Sequence, residues 1–553
     1  MQGEFRGDFS RDTFDPLKHF RRVFMQQGRV QLDADWNEQT SILLHYLRTL
    51  AADLIGPHGG PMDSNSGVAG FFIGPVPFTL PVLNDFRIGL GRYYVDGILC
   101  EADSTPIAIS KVSVKNNNLS ADVQVDHWTL DGIPFQNNQY VEVFDDVQLP
   151  NVSPAFSPTV VQITNPQQTK LTLTLQGNLT GLSNTTNPKL RRVITYLTQP
   201  DYPVPDTEQL NQSTSYQVYL DVWERHITYV EDDSIREVAL GGPDTASRAK
   251  VVWQVRVTKP CVGFTLNETL PCCTPVELAG KFQPDNRGRL KAKARQNVTP
   301  ADDPCIISPE SRYRGAENQL YRVEIHRGGN AWDGTTDKDG NPANAGTAAT
   351  FKWSRENGCV VFPIVSLSTG SGTTTVVVEN LGRDDRFGLK KDEWVEVQDD
   401  DSLLQDRAAT LLQVQSLDPT MLTVTLNGTA DPNVVKNANQ GLTKHPLVRR
   451  WDHRAGDPAE GGLQPANDGA ALIQETTGDT WLDLEDGIQI QFQPSDNQPS
   501  QYRTGDYWLI PARTATGDVE WPTEKDSQGK CDSDRQAAGW YRTSLRSTCG
   551  HHG

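Results

Sequence analysis

The longest regular pattern of apolar positions lies near the amino terminus. Trp36, Thr40, Leu43, Leu47, Leu50 and Leu54 recur at alternating spacings of four and three, the seam of a coiled coil carried for fewer than three heptads. Leu44 and Ala51 widen the stripe towards an ordinary core-facing helix. Asp35 with Glu38 three residues later gives a capping-box-like start, and Gly56-Pro57 stops the helix abruptly. Burial against the chain's own β structure is the expected use of this stripe; self-association or docking into a partner groove is the alternative. Ahead of it, residues 1–31 read as an extended arm. A short helix around 16–25 follows Asp15 as cap, with Pro16 at its first position, and ends by Gly28.

Beyond Pro57 the period changes from helix to strand. Val95-Asp96-Gly97-Ile98 has the chemistry of a tight hairpin, because Asp-Gly favours positive φ. Leu171, Leu173 and Leu175 share one face of a strand, as do Val218, Leu220 and Val222, and later Val251, Trp253, Val255 and Val257. Further short runs fall at 320–326, 350–354, 360–362, 373–379 and 394–397. The pattern predicts a mainly β, multi-domain protein of β-sandwich or small-barrel modules, with an amino-terminal arm and one long amphipathic helix.

Residues 1–56 form the arm and helix. A β module is begun by 57–110 and completed by 211–311, around a β-sandwich inserted at 111–210. A small barrel or sandwich spans 312–450, a carboxy-terminal β unit 451–522, and a poorly ordered polar tail 523–553. Residues 388–397 and 502–511 share a turn–acid–aromatic–apolar pattern and read as equivalent strands of two related units.

Composition sharpens this in three places. At 553 residues the chain is too long for one core, and 45 Gly with 35 Pro fit many short strands joined by turns. A formal charge of −19 argues against nucleic acid as the main partner. Against that background Arg6, Arg11, His19, Arg21, Arg22 and Arg29 cluster in the first thirty residues, which fits surface solubilisation and docking to an acidic neighbour equally. No apolar run is long enough to span a membrane, and no secretory signal opens the chain, so synthesis and folding in a cytoplasm are expected.

Candidate chemistry is sparse. Cys100 and Cys359 stand alone in apolar runs and read as small hydrophobes. Cys261, Cys272, Cys273 and Cys305 lack paired C-x-x-C spacing, so neither zinc nor any other metal is expected, although a disulfide among them is open. No nucleophile elbow, zinc-protease helix, Walker loop or dinucleotide fingerprint occurs, so no enzyme activity and no cofactor is expected. Asp333, Asp337, Asp339 and Asn341 form part of a calcium-type loop that lacks its bidentate Glu. Asp384-Asp385 and Asp399-Asp400-Asp401 are too close together for the paired carboxylates of glycoside hydrolysis. Arg6-Gly7-Asp8 matches an integrin-type tripeptide by letter only.

Gly7–Pro16 together with Met25–Gln39 resembles the amino-terminal signature of a bacterial family encoded beside phage-tail-like contractile injection systems. Residues 219–225, 239–246, 351–358 and 505–522 resemble further blocks of it, and a looser similarity links the opening and the Trp223-Glu-Arg block to phage tail-fibre and baseplate proteins. The resemblance implies a structural component at or around the baseplate of such a particle, released or membrane-anchored. Its partners would be baseplate, spike, tube or sheath subunits and other copies of itself, and no catalytic residue is carried over. The arm then becomes the expected assembly contact, through Arg11, Phe14, Arg21, Arg22, Arg29, Asp35 and Trp36, and removal of residues 1–31 is expected to leave a folded protein. The competing reading is a tail-fibre-like adhesin that binds carbohydrate or another cell-surface ligand, with Trp332 beside Asp333, Asp337 and Asp339 as its platform.

Overall fold

The alternating runs do become strands. The computed structural model describes residues 3–62, 69–75, 85–130, 133–146, 156–211, 216–242, 244–258, 286–295, 312–338, 341–384, 386–439, 444–455, 462–478, 480–495, 499–525, 531–533, 536–537 and 544–548, with side chains described as far as residue 523. The chain is mainly β with one long helix, α1 (Asp33–Ile55). It divides into two units, residues 1–47, 223–252 and 275–544 in the first and residues 48–222, 253–274 and 545–553 in the second.

In the second unit, Ile107–Lys115, Ser120–Val125, Tyr140–Asp145, Thr159–Gln167, Thr172–Gln176 and Pro188–Arg192 close into a six-stranded barrel. Pro188–Arg192 completes it by pairing antiparallel with both Tyr140–Asp145 and Ile107–Lys115. Val123, Val141, Val161, Ile163, Leu173 and Leu175 fill the interior. A sandwich was the expectation for this segment. Both architectures alternate inward and outward side chains, and only the long-range pairing of the last strand separates them. Leu171 sits in a left-handed turn (φ 48°) before its strand and is only partly buried. The predicted hairpin joins Gly91–Val95 to Ile98–Ala102, with Asp96 and Gly97 at φ 46° and 74°. A Cβ at position 97 would run into the Arg48 carbonyl, so only glycine fits. Cys100 is free and buried, its thiol pushed up to about 12 by burial, and it packs as a small hydrophobe.

The first unit holds a second six-stranded barrel, Val361–Gly370, Thr373–Val378, Trp394–Gln398, Thr410–Asp418, Thr423–Asn427 and Leu447–Trp451. Beside it in sequence lies a five-stranded sheet in the order Ala471–Leu472, Thr350–Ser354, Gln319–Arg327, Tyr507–Arg513, Asp518–Val519. Its core of Tyr321, Val323, Phe351, Trp353 and Trp508 is shared with Leu290 and Phe492 from the paired strands Arg289–Ala294 and Ile488–Gln493. Residues 451–522 are therefore not a unit of their own. Nor are the two turn–acid–aromatic strands equivalent, since Trp394–Gln398 belongs to the barrel and Tyr507–Arg513 to the sheet. The tail expected to lack order contains short strands, among them Thr523–Lys525 paired with Cys531–Ser533.

Helix α1 runs as its apolar period predicts and stops before Gly56 (φ 92°), but it begins at Asp33, three residues earlier than the Trp36 start that the capping pattern gives. Its environment is the larger difference. Only Ala34 and Ile42 are buried, and the stripe from Trp36 to Leu54 faces outward.

Candidate functional site: a buried amino-terminal strand and the arm it anchors

Gly3, Glu4, Arg6 and Gly7 are buried in the first unit. Glu4 lies parallel to Arg225: the Glu4 N–H donates to the Glu224 carbonyl at 2.9 Å and the His226 N–H to the Glu4 carbonyl at 3.0 Å. Tyr507 Oη donates to the Gly3 carbonyl at 2.7 Å. The Asn357 side chain donates to the Phe5 carbonyl at 3.3 Å and the Gly7 carbonyl at 2.9 Å, while Arg322 reaches Phe5 at 3.1 Å. Asn357 and Gly358 occupy consecutive left-handed positions, φ 52° and 68°, a turn that Asn-Gly adopts readily. The Ser354–Gly358 block thus forms part of the seat for the amino-terminal strand.

Charge completes that seat. Arg6 donates to both oxygens of Glu324 at 3.0–3.2 Å and also pairs with Glu4. Arg322 Nε donates to Glu324 at 2.6 Å; Lys352 lies 3.3 Å from Glu324 and 2.6 Å from Glu396, which also accepts from the Trp451 indole at 3.0 Å. Burial alone would raise the carboxyl pKa of Glu324, yet Arg6, Arg322 and Lys352 outweigh it and hold the group well below the usual carboxylate range. Glu396 is lowered in the same way, burial being outweighed by Lys352 and His326. Arg449 feels the reverse pressure: burial and the neighbouring Arg6 bring it down to about 10.

His226 is held neutral, with burial pushing its pKa down to about 3 and Arg449, Arg6 and Arg322 adding to the effect. Its ring meets Phe5 and Phe9 edge-on at 6.2 and 5.8 Å. The cavity here, lined by Glu4, Arg6, Arg225, His226 and Asp400 among others, holds only ≈ 30 Å³. That is room for water and not for a substrate. Chemically the arrangement fastens a strand through charge. It presents no open nucleophile or acid–base pair to an outside molecule.

The arm leaves this seat and lies along α1. The Ser10 N–H donates to Asp33 Oδ2 at 2.8 Å, Thr13 Oγ1 to Glu38 Oε2 at 2.5 Å and the Val23 N–H to Gln39 Oε1 at 2.8 Å. The predicted short helix shrinks to a 3₁₀ turn, Pro16–Lys18, capped by Asp15 as expected. Of the predicted contact residues, Arg11 pairs with Glu520 at 2.7 Å within the chain itself, and Phe14 packs on His45 at 5.7 Å. Arg21 lies over Tyr46 and Arg22 over Phe24, at 5.8 and 4.2 Å. Arg29 and Trp36 are exposed and Asp35 is half-buried. Around them Leu17 (81% exposed), Phe20, Phe24 and Val30 (84%) face outward. Between the arm and the strand Tyr507–Arg513 runs an open cleft of ≈ 550 Å³ lined by Arg11, Phe14, Trp508 and Trp521. Against the expectation that residues 1–31 are dispensable for folding, residues 3–7 supply an isolated β-bridge and a buried ion pair to the first unit.

The acidic clusters serve the fold. Asp333 accepts from the N–H and hydroxyl of Thr335 at 2.9 and 2.7 Å, and Asp337 from the N–H and side chain of Asn341 at 2.9 and 3.3 Å. The Trp332 indole donates to the Ala343 carbonyl at 3.0 Å and packs on Ala345, Ala348, Ala466 and Leu472. Trp332 and Asp333 border a cleft of ≈ 290 Å³; Asp339 lies outside the described residues. Asp399 caps a short helix through the Ser402 N–H, and Asp400 pairs with Arg225 and His445. Among the described residues no three His, Cys, Asp or Glu side chains are placed to hold a metal ion. Cys261, Cys272, Cys273 and Cys305 lie outside those residues.

The model of the DUF6519 family, a family of unknown function, matches residues 5–117, 186–263 and 283–553. The chain belongs to the DUF6519 family. The DUF6519 match takes in Arg6, the arm, α1 and the strands that form the seat, while its gap at 118–185 removes most of the first barrel. Two of that barrel's six strands, Ile107–Lys115 and Pro188–Arg192, lie within the DUF6519 match and the other four in the gap. No curated protein matches the chain significantly.

Proposed function

We propose that this DUF6519 protein is a structural subunit of a phage-tail-like contractile injection particle, working at or around the baseplate and attached through its arm. The observation that carries the reading is the contrast within the first 32 residues. Gly3, Glu4, Arg6 and Gly7 are buried and held by side-chain bonds, while Leu17, Phe20, Phe24, Val30 and Leu32 stand exposed among arginines. An isolated exposed apolar side chain needs no explanation, but a run of them on a tethered arm is the signature of a docking surface. The resemblance of Gly7–Pro16 and Met25–Gln39 to the signature of injection-system-encoded proteins supplies the kind of partner: other baseplate, spike, tube or sheath subunits. In this reading the protein is not an enzyme, is made in a cytoplasm and carries its barrels as projecting modules.

The test is co-expression with the other particle components, followed by particle purification. A Leu17→Ser/Phe20→Ser/Phe24→Ser variant is expected to fold and yet to be missing from the particles. Normal incorporation of that variant would remove the arm from the assembly contact. Absence of the natural protein from the particles would remove the reading itself.

A further inference from the structure

The apolar stripe of α1 is a second surface, bordered on one side by the arm, which bonds Gln39 and lays Arg21 over Tyr46. We infer that it is a homotypic seam, by which α1 pairs with α1 of a second copy of this chain. With Trp36, Leu43 and Leu50 at the d positions of a heptad, Thr40, Leu47 and Leu54 fall at a. The buried Ala34 and Ile42 fall at b and c, so the helix rests on its own body by a different face. The seam itself is bare: Trp36 is 69% exposed, Leu47 62% and Leu54 77%.

Three observations choose a second copy as the occupant. The spacing of 3.5 residues is the period of helix against helix, not of helix against sheet. The one polar seam residue, Thr40, donates its hydroxyl to the Trp36 carbonyl at 3.2 Å, so its burial leaves no donor unmet. The flanking e and g positions are Asn37, Leu44 and Ala51 and Gln39, Tyr46 and Asp53, with a single charge among them. Flanks of one sign would repel an identical helix, whereas here Asp53 and the Arg21 laid over Tyr46 are of opposite sign and the rest are neutral, so identical helices meet without net repulsion. The five large seam residues are each 53% to 77% exposed, so pairing two copies would take a continuous apolar stripe on each out of water.

The experiment uses the full chain alone, so it stands apart from incorporation into any particle. Sedimentation velocity over a concentration series is expected to show reversible self-association. Hydrogen exchange in residues 36–54 is expected to slow several-fold from the dilute to the concentrated end. A Leu47→Asp/Leu50→Asp variant should sediment as a monomer with an unchanged far-ultraviolet spectrum; if it misfolds, Leu43→Ser supplies the same comparison. A wild-type monomer at about 100 µM overturns the inference. So does association that survives these substitutions, or that leaves exchange in 36–54 unchanged.

Discussion

Arg6 and Glu324, 318 positions apart in the chain, form a two-pronged ion pair with both side chains almost fully buried. It joins the amino-terminal strand to the centre of a five-stranded sheet, and Arg322 and Lys352 converge on the same carboxylate. Removing one member of a buried pair is expensive because the other charge stays behind in a medium that solvates it poorly. Arg6→Ala leaves Glu324 with two cations and should cost about 3 kcal/mol. Glu324→Gln leaves three cations facing a neutral group and should cost more. Urea unfolding of both variants checks the order; a loss below about 0.5 kcal/mol for Arg6→Ala, the range of ordinary surface changes, would show that the pair holds nothing together.

The same seat separates two truncations that sequence alone would treat alike. Deleting residues 1–10 removes the Glu4 bridge to Arg225, the Arg6 pair and the acceptors of Asn357, and should lower the melting temperature by many degrees or prevent folding. Replacing exposed Leu17, Phe20 and Phe24 by Ser touches no core, and should leave the melting temperature within about 2 °C, as surface substitutions do. Thermal melts of the two proteins side by side decide this. Equal melting temperatures would mean that the amino-terminal strand is not part of the folded unit.

Stability should fall with acid below pH 6.5 through buried histidines, opposed in part by Glu485, which burial raises to about 7. Burial, reinforced by nearby cations, lowers His226 to about 3 and His326 and His453 to about 4, against an ordinary 6.5. Between pH 6.5 and about 4 the unfolded chain takes up protons at these sites and the folded chain does not. Stability therefore drops as pH falls, by up to about 1.4 kcal/mol per pH unit for each histidine. His445 acts in the opposite sense, because its bond to Asp400 raises its pKa; its contribution is complete below 6.5 and fades as pH rises through the raised value. Glu324 and Glu396, both lowered, add their loss only as pH falls below about 4.5. Urea midpoints should decline steadily from pH 7 to pH 5, and His226→Gln should make the decline shallower. A flat profile over that interval would contradict neutral burial of these histidines.

The sequence carried the strands and the helix but not what lies against them. Alternation at Tyr321, Val323 and Ile325 correctly marks a strand with an apolar inner face. Arg322, Glu324 and His326 alternate with them on the other face, and they too are buried. Arg6, the partner that makes this tolerable, is hundreds of residues away, and no local pattern reports such a contact. The α1 stripe shows the converse. Its period gave the helix and its end correctly, but periodicity says that one face is apolar without saying what covers it. The Asp333 and Asp337 loop was legible as oxygen-rich, whereas the satisfaction of those oxygens by Thr335 and Asn341 was not.

The first barrel should behave as a self-contained insertion. Its first and last strands are neighbours, with Ile107 opposite Leu190 and Ala108 opposite Lys189, so the chain enters and leaves the barrel at adjacent points. The interior is filled from its own strands, by Val123, Val141, Leu173, Leu175 and Leu190 among others. The family match skips 118–185, which holds four of the six strands. Adjacent ends and a private core are the two conditions for a module that folds alone and can be cut out without strain. Residues 105–193 expressed alone should unfold cooperatively in urea, and Leu173→Ala should cost that fragment about 2–5 kcal/mol through the cavity it leaves. The remaining chain, closed by a short Gly-Ser linker, should keep the acid-sensitive unfolding expected of the histidine cluster. An unfolded fragment would show that the barrel depends on the body for its stability.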